Sequence, residues 1–239
     1  MSSMKYFVFS DIHSCLDKLK LALMEAGYDE CNDNHKLLFL GDAFDKGAEH
    51  YETYLFLKEN IKNGKLLWTL GNHECFLLSS LAKNTASKFT KSTIRDIALG
   101  LDDKAVNYTD TECIQVLKNN KVDQFILDNT VRYYETNNYV FTHGIIPINN
   151  DNTYDINWRS KEEKDWYKFI NTGFKKLIDN NIRIPNKTLV CGHMYTGNMH
   201  KSSLPYYTNG IIAIDGNGYK PKGKLNVIVI EDWNMKYYF

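Results

Sequence analysis

The sequence predicts an α/β protein organised around a parallel sheet, and two observations carry that expectation. Through the first third of the chain, short apolar runs alternate with amphipathic stretches, the pattern of strands joined by crossover helices. Each of the first three apolar runs also ends in a polar motif: Asp11-Ile12-His13, Gly41-Asp42-Ala43-Phe44-Asp45-Lys46-Gly47 and Gly71-Asn72-His73-Glu74. Ligands in open α/β sheets gather beyond the carboxyl ends of the strands, so three segments deliver polar groups to one sheet edge.

The elements follow in order. Lys5-Tyr6-Phe7-Val8-Phe9 is a continuous apolar run, as a buried strand requires. Leu16, Leu19, Leu23 and Ala26 recur at helical spacing, and Gly27 is placed to stop that helix. Residues 36–40 form a second buried strand. Tyr51, Tyr54, Leu55 and Leu57 mark a second helix that ends near Asn63-Gly64, and residues 66–70 a third strand. From 79 to about 130 the pattern is helical and polar, with apolar residues at Ile94, Ile97, Ala98, Leu101, Cys113, Ile114, Val116, Leu117, Phe125 and Ile126. This segment reads as a helical insertion or cap, either bordering a site or decorating the fold at a distance. Strands at 131–135 and 139–142 are joined by a turn at Asn137-Asn138. An amphipathic helix spans 162–179. Further strands at 188–191, 210–215 and 225–231 suggest a second, antiparallel sheet facing the first. No repeat, low-complexity tract or Gly/Pro/Ser-rich linker divides the chain, so 1–239 reads as one domain.

Bulk properties narrow the function classes. The hydrophobic fraction of 43% suits a globular protein with a proper core, and a formal net charge of zero gives no nucleic-acid or anionic-membrane footprint. Lys161, Lys164, Lys168, Lys175 and Lys176 alternate with acids and read as a solvated helix face. Cys15, Cys31, Cys75, Cys113 and Cys191 are odd in number and form no C-x-x-C pair, which points to a reducing compartment. No basic-then-apolar leader and no membrane-length apolar run is visible, so a cytoplasmic protein is expected.

Two later segments, Thr142-His143-Gly144 and Cys191-Gly192-His193, add imidazoles after predicted strands. Alone, each of the five motifs is weak: an Asp-x-His is common, and a lone His is usually structural. In this order, after these strands, they supply enough ligands for two divalent cations. Asp42 can bridge the pair, because a carboxylate has two oxygens and Asp42 lies on the middle of the three motif-bearing strands in sequence. A mixed oxygen and nitrogen shell favours manganese, iron or zinc. Two adjacent cations suit in-line displacement at phosphorus, so the chain reads as a metal-dependent phosphoesterase. His35, His50 and His200 lack such context and are expected at the surface.

The ordered set Asp11-x-His13, Gly41-Asp42-x-x-Asp45-x-Gly47, Gly71-Asn72-His73-Glu74, His143-Gly144 and Gly192-His193 resembles the calcineurin-like metallophosphoesterase superfamily. Within it, the set is similar to the phosphoprotein phosphatase branch, which also holds symmetrical diadenosine tetraphosphate hydrolases. The resemblance implies a four-layer α-β-β-α sandwich. It implies one metal on Asp11, His13 and Asp42, and another on Asp42, Asn72, His143 and His193. It further implies attack by a metal-bridging hydroxide, with His73 as general acid and Asp45 orienting it.

Several positions depart from the family pattern. Ser10 and Ser14 stand where the first motif usually has glycine, Lys46 where an Arg is usual, Ile145 where a Gly is usual and Met194 where Thr is common. Lys46 and Arg159 are the expected phosphate-binding cations, although Lys is a point charge where Arg grips bidentately. Tyr195 and Tyr219 are candidates for the rim, with core packing the favoured alternative. The expected substrate is a phosphoprotein or a small phosphorylated molecule, with no nucleic-acid or membrane partner. The expected activity is serine/threonine protein dephosphorylation; the alternative is diadenosine tetraphosphate hydrolysis.

Overall fold

A computed structural model describes residues 4–208, 210–231 and 236–238. The first third follows the sequence pattern closely: β1 (Lys5–Phe9), α1 (Leu16–Glu25), β2 (His35–Phe39), α2 (His50–Lys62) and β3 (Leu66–Thr69). Gly27 (φ +81°) and Gly64 (φ +64°) take the left-handed conformation just beyond α1 and α2. Next come α3 (Asn72–Lys83), α4 (Lys91–Leu101), a 3₁₀ turn (Asp103–Asn107), α5 (Asp110–Asn119) and α6 (Val122–Asn129). The remainder is β4 (Thr130–Val131), β5 (Tyr133–Glu135), β6 (Tyr139–Thr142), α7 (Glu163–Ile170), α8 (Lys175–Asp179), β7 (Thr188–Cys191), α9 (Gly197–His200), β8 (Tyr206–Thr208), β9 (Ile211–Ala213), β10 (Ile228–Glu231) and β11 (Lys236–Tyr238).

Two sheets result. The first has the order β10-β1-β2-β3-β4, and the second β11-β5-β6-β7-β9-β8. Strands β1 to β4 are parallel and β10 is antiparallel to β1. In the second sheet β6, β7 and β9 are parallel, while β5, β8 and β11 pair antiparallel with their neighbours.

Alternation along the strands creates the layers. Tyr6, Val8, Leu38 and Leu40 join Phe141, Val190 and Ile214 in a core between the sheets. Phe7, Phe9, Leu37 and Phe39 point the other way, into a core with the residues of α1 and α2. Val140, Leu189 and Cys191 of the second sheet pack against Trp166, Phe169, Phe174 and Leu177 of the α7–α8 region. The architecture is therefore helix, sheet, sheet, helix, the four-layer α-β-β-α sandwich.

Three expectations need correction. The predicted strand at 131–135 is two strands in different sheets: Val131 pairs with Thr69 in the first, and Tyr134 with Phe141 in the second. The predicted strand at 225–231 contributes β10 to the first sheet, and the centre of the second sheet is parallel. Hydrophobic alternation reports which face is buried and not which strand is the neighbour. The long crossover through α7 and α8 is what makes β6 and β7 parallel. The predicted helix at 162–179 is interrupted after Ile170, where Asn171 caps α7.

The helical segment packs into the core on the helical side of the first sheet. Ile94, Ile97, Ala98, Cys113, Ile114, Leu117, Val122 and Ile126 share one buried cluster with Phe39, Leu57 and Trp68. Each such fully buried aliphatic side chain contributes about 1.5–3 kcal/mol. His35 and His50 are also buried, against expectation, while His200 is exposed. His50 is held inside by a hydrogen bond to Ser14 Oγ at 2.5 Å. No helix among the described residues is long and apolar enough to cross a membrane.

Candidate active site

The five motifs meet at the carboxyl ends of β1, β2, β3, β6 and β7. Much of this backbone is left-handed, a conformation that costs a non-glycine residue about 1 kcal/mol or more. Asp11, His13, Asp42, Asp45, Lys46 and His193 all have φ between +47° and +67°. Cross-loop bonds hold them there: Asp11 N–H to Gly41 O (2.9 Å), His13 N–H to Asp42 O (3.0 Å) and Ser14 N–H to Ala43 O (2.8 Å). Ser14 itself has φ +53°, so the residue that replaces the usual glycine adopts a glycine-like conformation, and its hydroxyl is anchored on His50.

Glu74 fastens the second motif to the third. Its two oxygens accept the backbone N–H groups of Asp42 (2.8 Å), Ala43 (2.7 Å) and Gly71 (2.8 Å). Only glycine fits at 71, because an added Cβ would lie 2.3 Å from Asp42 N. Burial first, and then the charge of Asp42, push Glu74 up to about 7. Glu74, an acid in the first turn of α3, is thereby also a brace for two loops.

Asp42 is the centre of the cluster. Its Oδ2 lies 3.7 Å from His13 Nε2 and 3.8 Å from His73 Nε2, and its Oδ1 lies 3.3 Å from His143 Nε2. Asn72 Oδ1 sits 2.9 Å from His143 Nε2 and 2.8 Å from His193 Nδ1. Asp11 Oδ1 is 3.8 Å from His13 Nε2, and its Oδ2 accepts the His193 backbone N–H at 2.9 Å. Two three-residue groups thus share Asp42: His13, Asp42 and His73, and Asp42, His143 and His193, each with ligand atoms within 4.8 Å of one another. All six sequence-predicted ligands are therefore brought together.

This donor set fits a pair of divalent cations. Asp11 and Asp42 are buried carboxylates close enough to interact, and Asp11 is raised by burial and by Asp42, although His143 opposes. His13 Nδ1 and His143 Nδ1 are occupied by the carbonyls of Phe44 (2.9 Å) and Leu40 (2.7 Å), which leaves each Nε2 facing the cluster. Burial pulls His13 down to about 3 and His193 to about 4, so both keep a free lone pair. Burial also pulls on His143, but Asp42 and then Asp11 outweigh it and push that imidazole up to about 10. Cation binding at His143 would release that proton.

His73 differs from the other histidines. Its Nδ1 is 2.7 Å from Asp45 Oδ2, and its backbone N–H binds Asp42 Oδ1 at 2.9 Å. Burial lowers its pKa, but the Asp45 hydrogen bond and the Asp42 charge raise it overall. Braced by Asp45 at Nδ1 and raised rather than lowered, His73 is suited to donate a proton from Nε2.

The two predicted phosphate cations separate. Lys46 reaches the cluster, with Nζ 2.7 Å from His13 Nε2 and 4.7 Å from the centre of the Tyr219 ring. Arg159 is not brought into it. Its guanidinium pairs with both oxygens of Glu135 (2.9 and 2.5 Å) and stacks on Trp158 (4.3 Å). Glu135 pairs in register with Val140, near the start of β6, whereas His143 lies beyond the end of that strand. Tyr219 is at the rim, edge-on to His13 (5.4 Å), while Tyr195 hydrogen-bonds Ser203.

Two further residues escaped the sequence reading. Asp215 is buried and is pushed up to about 8 by burial and then by Asp11. It follows β9 as Asp11 follows β1, so the strand-end rule had marked it. Thr93 bonds Asp45 Oδ1 at 2.5 Å from the helical segment, and nothing in its local sequence signals that contact.

Comparison with known proteins agrees with this geometry. A family model described as calcineurin-like phosphoesterase matches residues 4–226. A symmetrical bis(5'-nucleosyl)-tetraphosphatase from Pseudomonas fluorescens (strain SBW25) is 29% identical over 145 residues, covering 60% of this chain and 44% of that protein. An asymmetrical bis(5'-nucleosyl)-tetraphosphatase from Bacillus subtilis (strain 168) is 30% identical over 76 residues, 29% of this chain and 31% of that protein. The chain thus spans less than half the length of these curated relatives. Among solved structures, a cold-active protein-tyrosine phosphatase of a psychrophilic Shewanella aligns with a TM-score of 0.56 at 17% identity, covering 97% of this chain and 76% of that one. A protein serine/threonine phosphatase from Saccharomyces cerevisiae aligns with a TM-score of 0.51 at 13% identity, covering 97% and 81%. At those identities the likeness is one of fold.

Proposed function

Because the chain belongs to the calcineurin-like phosphoesterase family, we propose that it hydrolyses phosphoesters with two divalent cations. The observation that carries this reading is the convergence of Asp11, His13, Asp42, Asn72, His143 and His193 around one shared carboxylate, with His73 braced beside it. Asp11, His13 and Asp42 would hold one cation, and Asp42, Asn72, His143 and His193 the other. When bound, such a pair supplies Lewis acidity at phosphoryl oxygens and makes water a nucleophile at neutral pH. The mixed oxygen and nitrogen shell suits manganese, iron or zinc, of which we take manganese as the cation to test first.

The chain's own groups supply the rest. Asp45 fixes His73 with Nδ1–H donated to the carboxylate, so Nε2 carries the proton given to the leaving oxygen. Lys46 supplies the positive charge for a phosphate oxygen, as a point charge. This reading gives Arg159 no role, since its guanidinium is paired with both oxygens of Glu135.

The substrate we propose is a phosphomonoester, foremost phosphoserine or phosphothreonine in proteins. Hydrolysis of diadenosine tetraphosphate is the second reading, favoured by the names of the curated relatives. Neither needs a nucleic-acid or membrane partner. The cytoplasm suits the free thiols Cys15, Cys31, Cys75, Cys113 and Cys191.

One experiment tests both levels. With manganese, phosphate release from a phosphopeptide is compared with cleavage of diadenosine tetraphosphate. A phosphopeptide preference supports the first reading, and a nucleotide preference by orders of magnitude replaces it with the second. Turnover of neither substrate, nor of an aryl phosphate, would overturn the hydrolase reading.

A further inference from the structure

We propose that Thr93, on the helical segment, is a positioning residue for proton transfer: it locks Asp45 so that Asp45 can aim His73. This inference rests on the proposed hydrolase reading and goes beyond it, since Thr93 lies outside all five motifs.

The argument is a hydrogen-bond census of Asp45. Asp45 is buried and stands in the left-handed conformation (φ +67°), where a local bond from Gly47 N–H to its carbonyl (2.8 Å) holds the backbone but not the side chain. One oxygen, Oδ2, is committed to His73 Nδ1 at 2.7 Å. The other, Oδ1, receives the Thr93 hydroxyl proton at 2.5 Å, and the Asp45 backbone N–H is given back to Thr93 Oγ1 at 3.2 Å. Thr93 therefore grips Asp45 at two points. With Oδ1 held, rotation of the carboxylate is resisted, and Oδ2 stays within hydrogen-bond reach of His73 Nδ1.

Thr93 is itself fully buried in the first turn of α4, and that helix is anchored independently. Asp96, on the same helix, accepts the backbone N–H groups of His50 and Tyr51 at 3.1 Å each, at the start of α2. Gly100 lets α4 seat directly on the Tyr51 ring, where an added Cβ would lie 2.2 Å away. On its other side Thr93 Oγ1 is 3.4 Å from His50 Nδ1, which binds Ser14 next to the ligand His13. The helical segment thus reaches the site through a rigid contact. There it braces the acid.

A mis-aimed general acid betrays itself through the leaving group. Nitrophenolate departs without needing a proton, whereas a serine alkoxide needs one, so only the second substrate depends on His73. The experiment compares Thr93→Val and Thr93→Ser with the wild type on p-nitrophenyl phosphate and on a phosphoserine peptide, all loaded with manganese. Thr93→Val should lower kcat on the phosphoserine peptide roughly 10-fold, a part of the 10²–10⁴ that a general acid supplies. On p-nitrophenyl phosphate its kcat should stay within about 2-fold, with bound metal and KM little changed, because the acid alone is disturbed. Thr93→Ser keeps the hydroxyl and should restore wild-type kcat on both.

Equal losses on the two substrates, or no loss on the peptide, would overturn the assignment. So would a Thr93→Ser variant as impaired as Thr93→Val. If Thr93→Val does not fold, Thr93→Ala carries the same expectations with no methyl forced against the carboxylate. A wild type that turns over neither substrate would overturn the hydrolase reading itself, a different result from variants that fail to discriminate.

Discussion

Replacing Glu74 by Gln tests how the site is held together. Glu74 is fully buried and receives three backbone N–H groups, from Asp42, Ala43 and Gly71, at 2.7–2.8 Å. A carboxylate can accept all three. A glutamine has one carbonyl oxygen, which can keep the Asp42 and Gly71 donors that now share Oε2. Its NH₂ group then opposes the Ala43 N–H. A buried donor left unsatisfied costs about 1–3 kcal/mol, and the new amide protons facing it add a comparable penalty. A loss of about 2–4 kcal/mol follows. For a chain of this size, each kcal/mol moves the unfolding temperature roughly 2–4 °C, so the total shift is on the order of 10 °C. Ala43, next to Asp42, would lose the bond that holds this turn to Glu74, and cation affinity should fall about 10–100-fold, as when the partner of a metal ligand is removed. Denaturant unfolding gives the first quantity and titration with manganese the second. The reasoning fails if Glu74→Gln unfolds within about 0.5 kcal/mol of wild type and binds manganese as tightly. That outcome would mean that Glu74 already carries a proton, as its rise to about 7 allows near neutral pH, and that Gln simply imitates the acid.

Other expectations can be checked in parallel. Asp42→Asn should lose bound metal, measured by elemental analysis, because it belongs to both ligand groups. His73→Asn should keep its metal but lower kcat on the phosphoserine peptide about 10²–10⁴-fold. Arg159→Ala should leave kcat and KM within about 2-fold of wild type. It should nevertheless destabilise the fold by about 1–3 kcal/mol, since Glu135 is left buried with Lys187 as its remaining cation. Glu135 also predicts a pH dependence. Burial raises its pKa, but the bonds from Arg159 and Lys187 outweigh this and hold it below its usual value of 4.5. The unfolded chain then binds more protons than the fold in the window below about pH 4.5, so Glu135 contributes stability above that pH and loses it on acidification. Glu135→Gln should flatten the acid limb of a stability curve, and an unchanged limb would show that other carboxylates set it.

Much of the site was legible because its chemistry is local to strand ends. Asp11, Asp42 and Asn72 each stand just beyond a buried apolar run, and strand direction in a parallel sheet sends all such ends to one edge. The sequence therefore determined the α/β class, the first three strands with their intervening helices, and the six candidate ligands that converge. Asp215 obeys the same rule after β9 and could have been read from it. Tertiary structure alone decided which strands are neighbours, because periodicity identifies a buried face and carries no record of its partner. Hence the split of 131–135 between the sheets, the return of β10 to β1, and the parallel centre of the second sheet. It also decided the partners of single polar side chains. Arg159 and Lys46 look alike as candidate cations, yet one is spent on Glu135 and the other reaches His13. Thr93 is 48 residues from Asp45, a separation over which no local pattern acts, and only the packing of α4 against α2 brings its hydroxyl to that carboxylate.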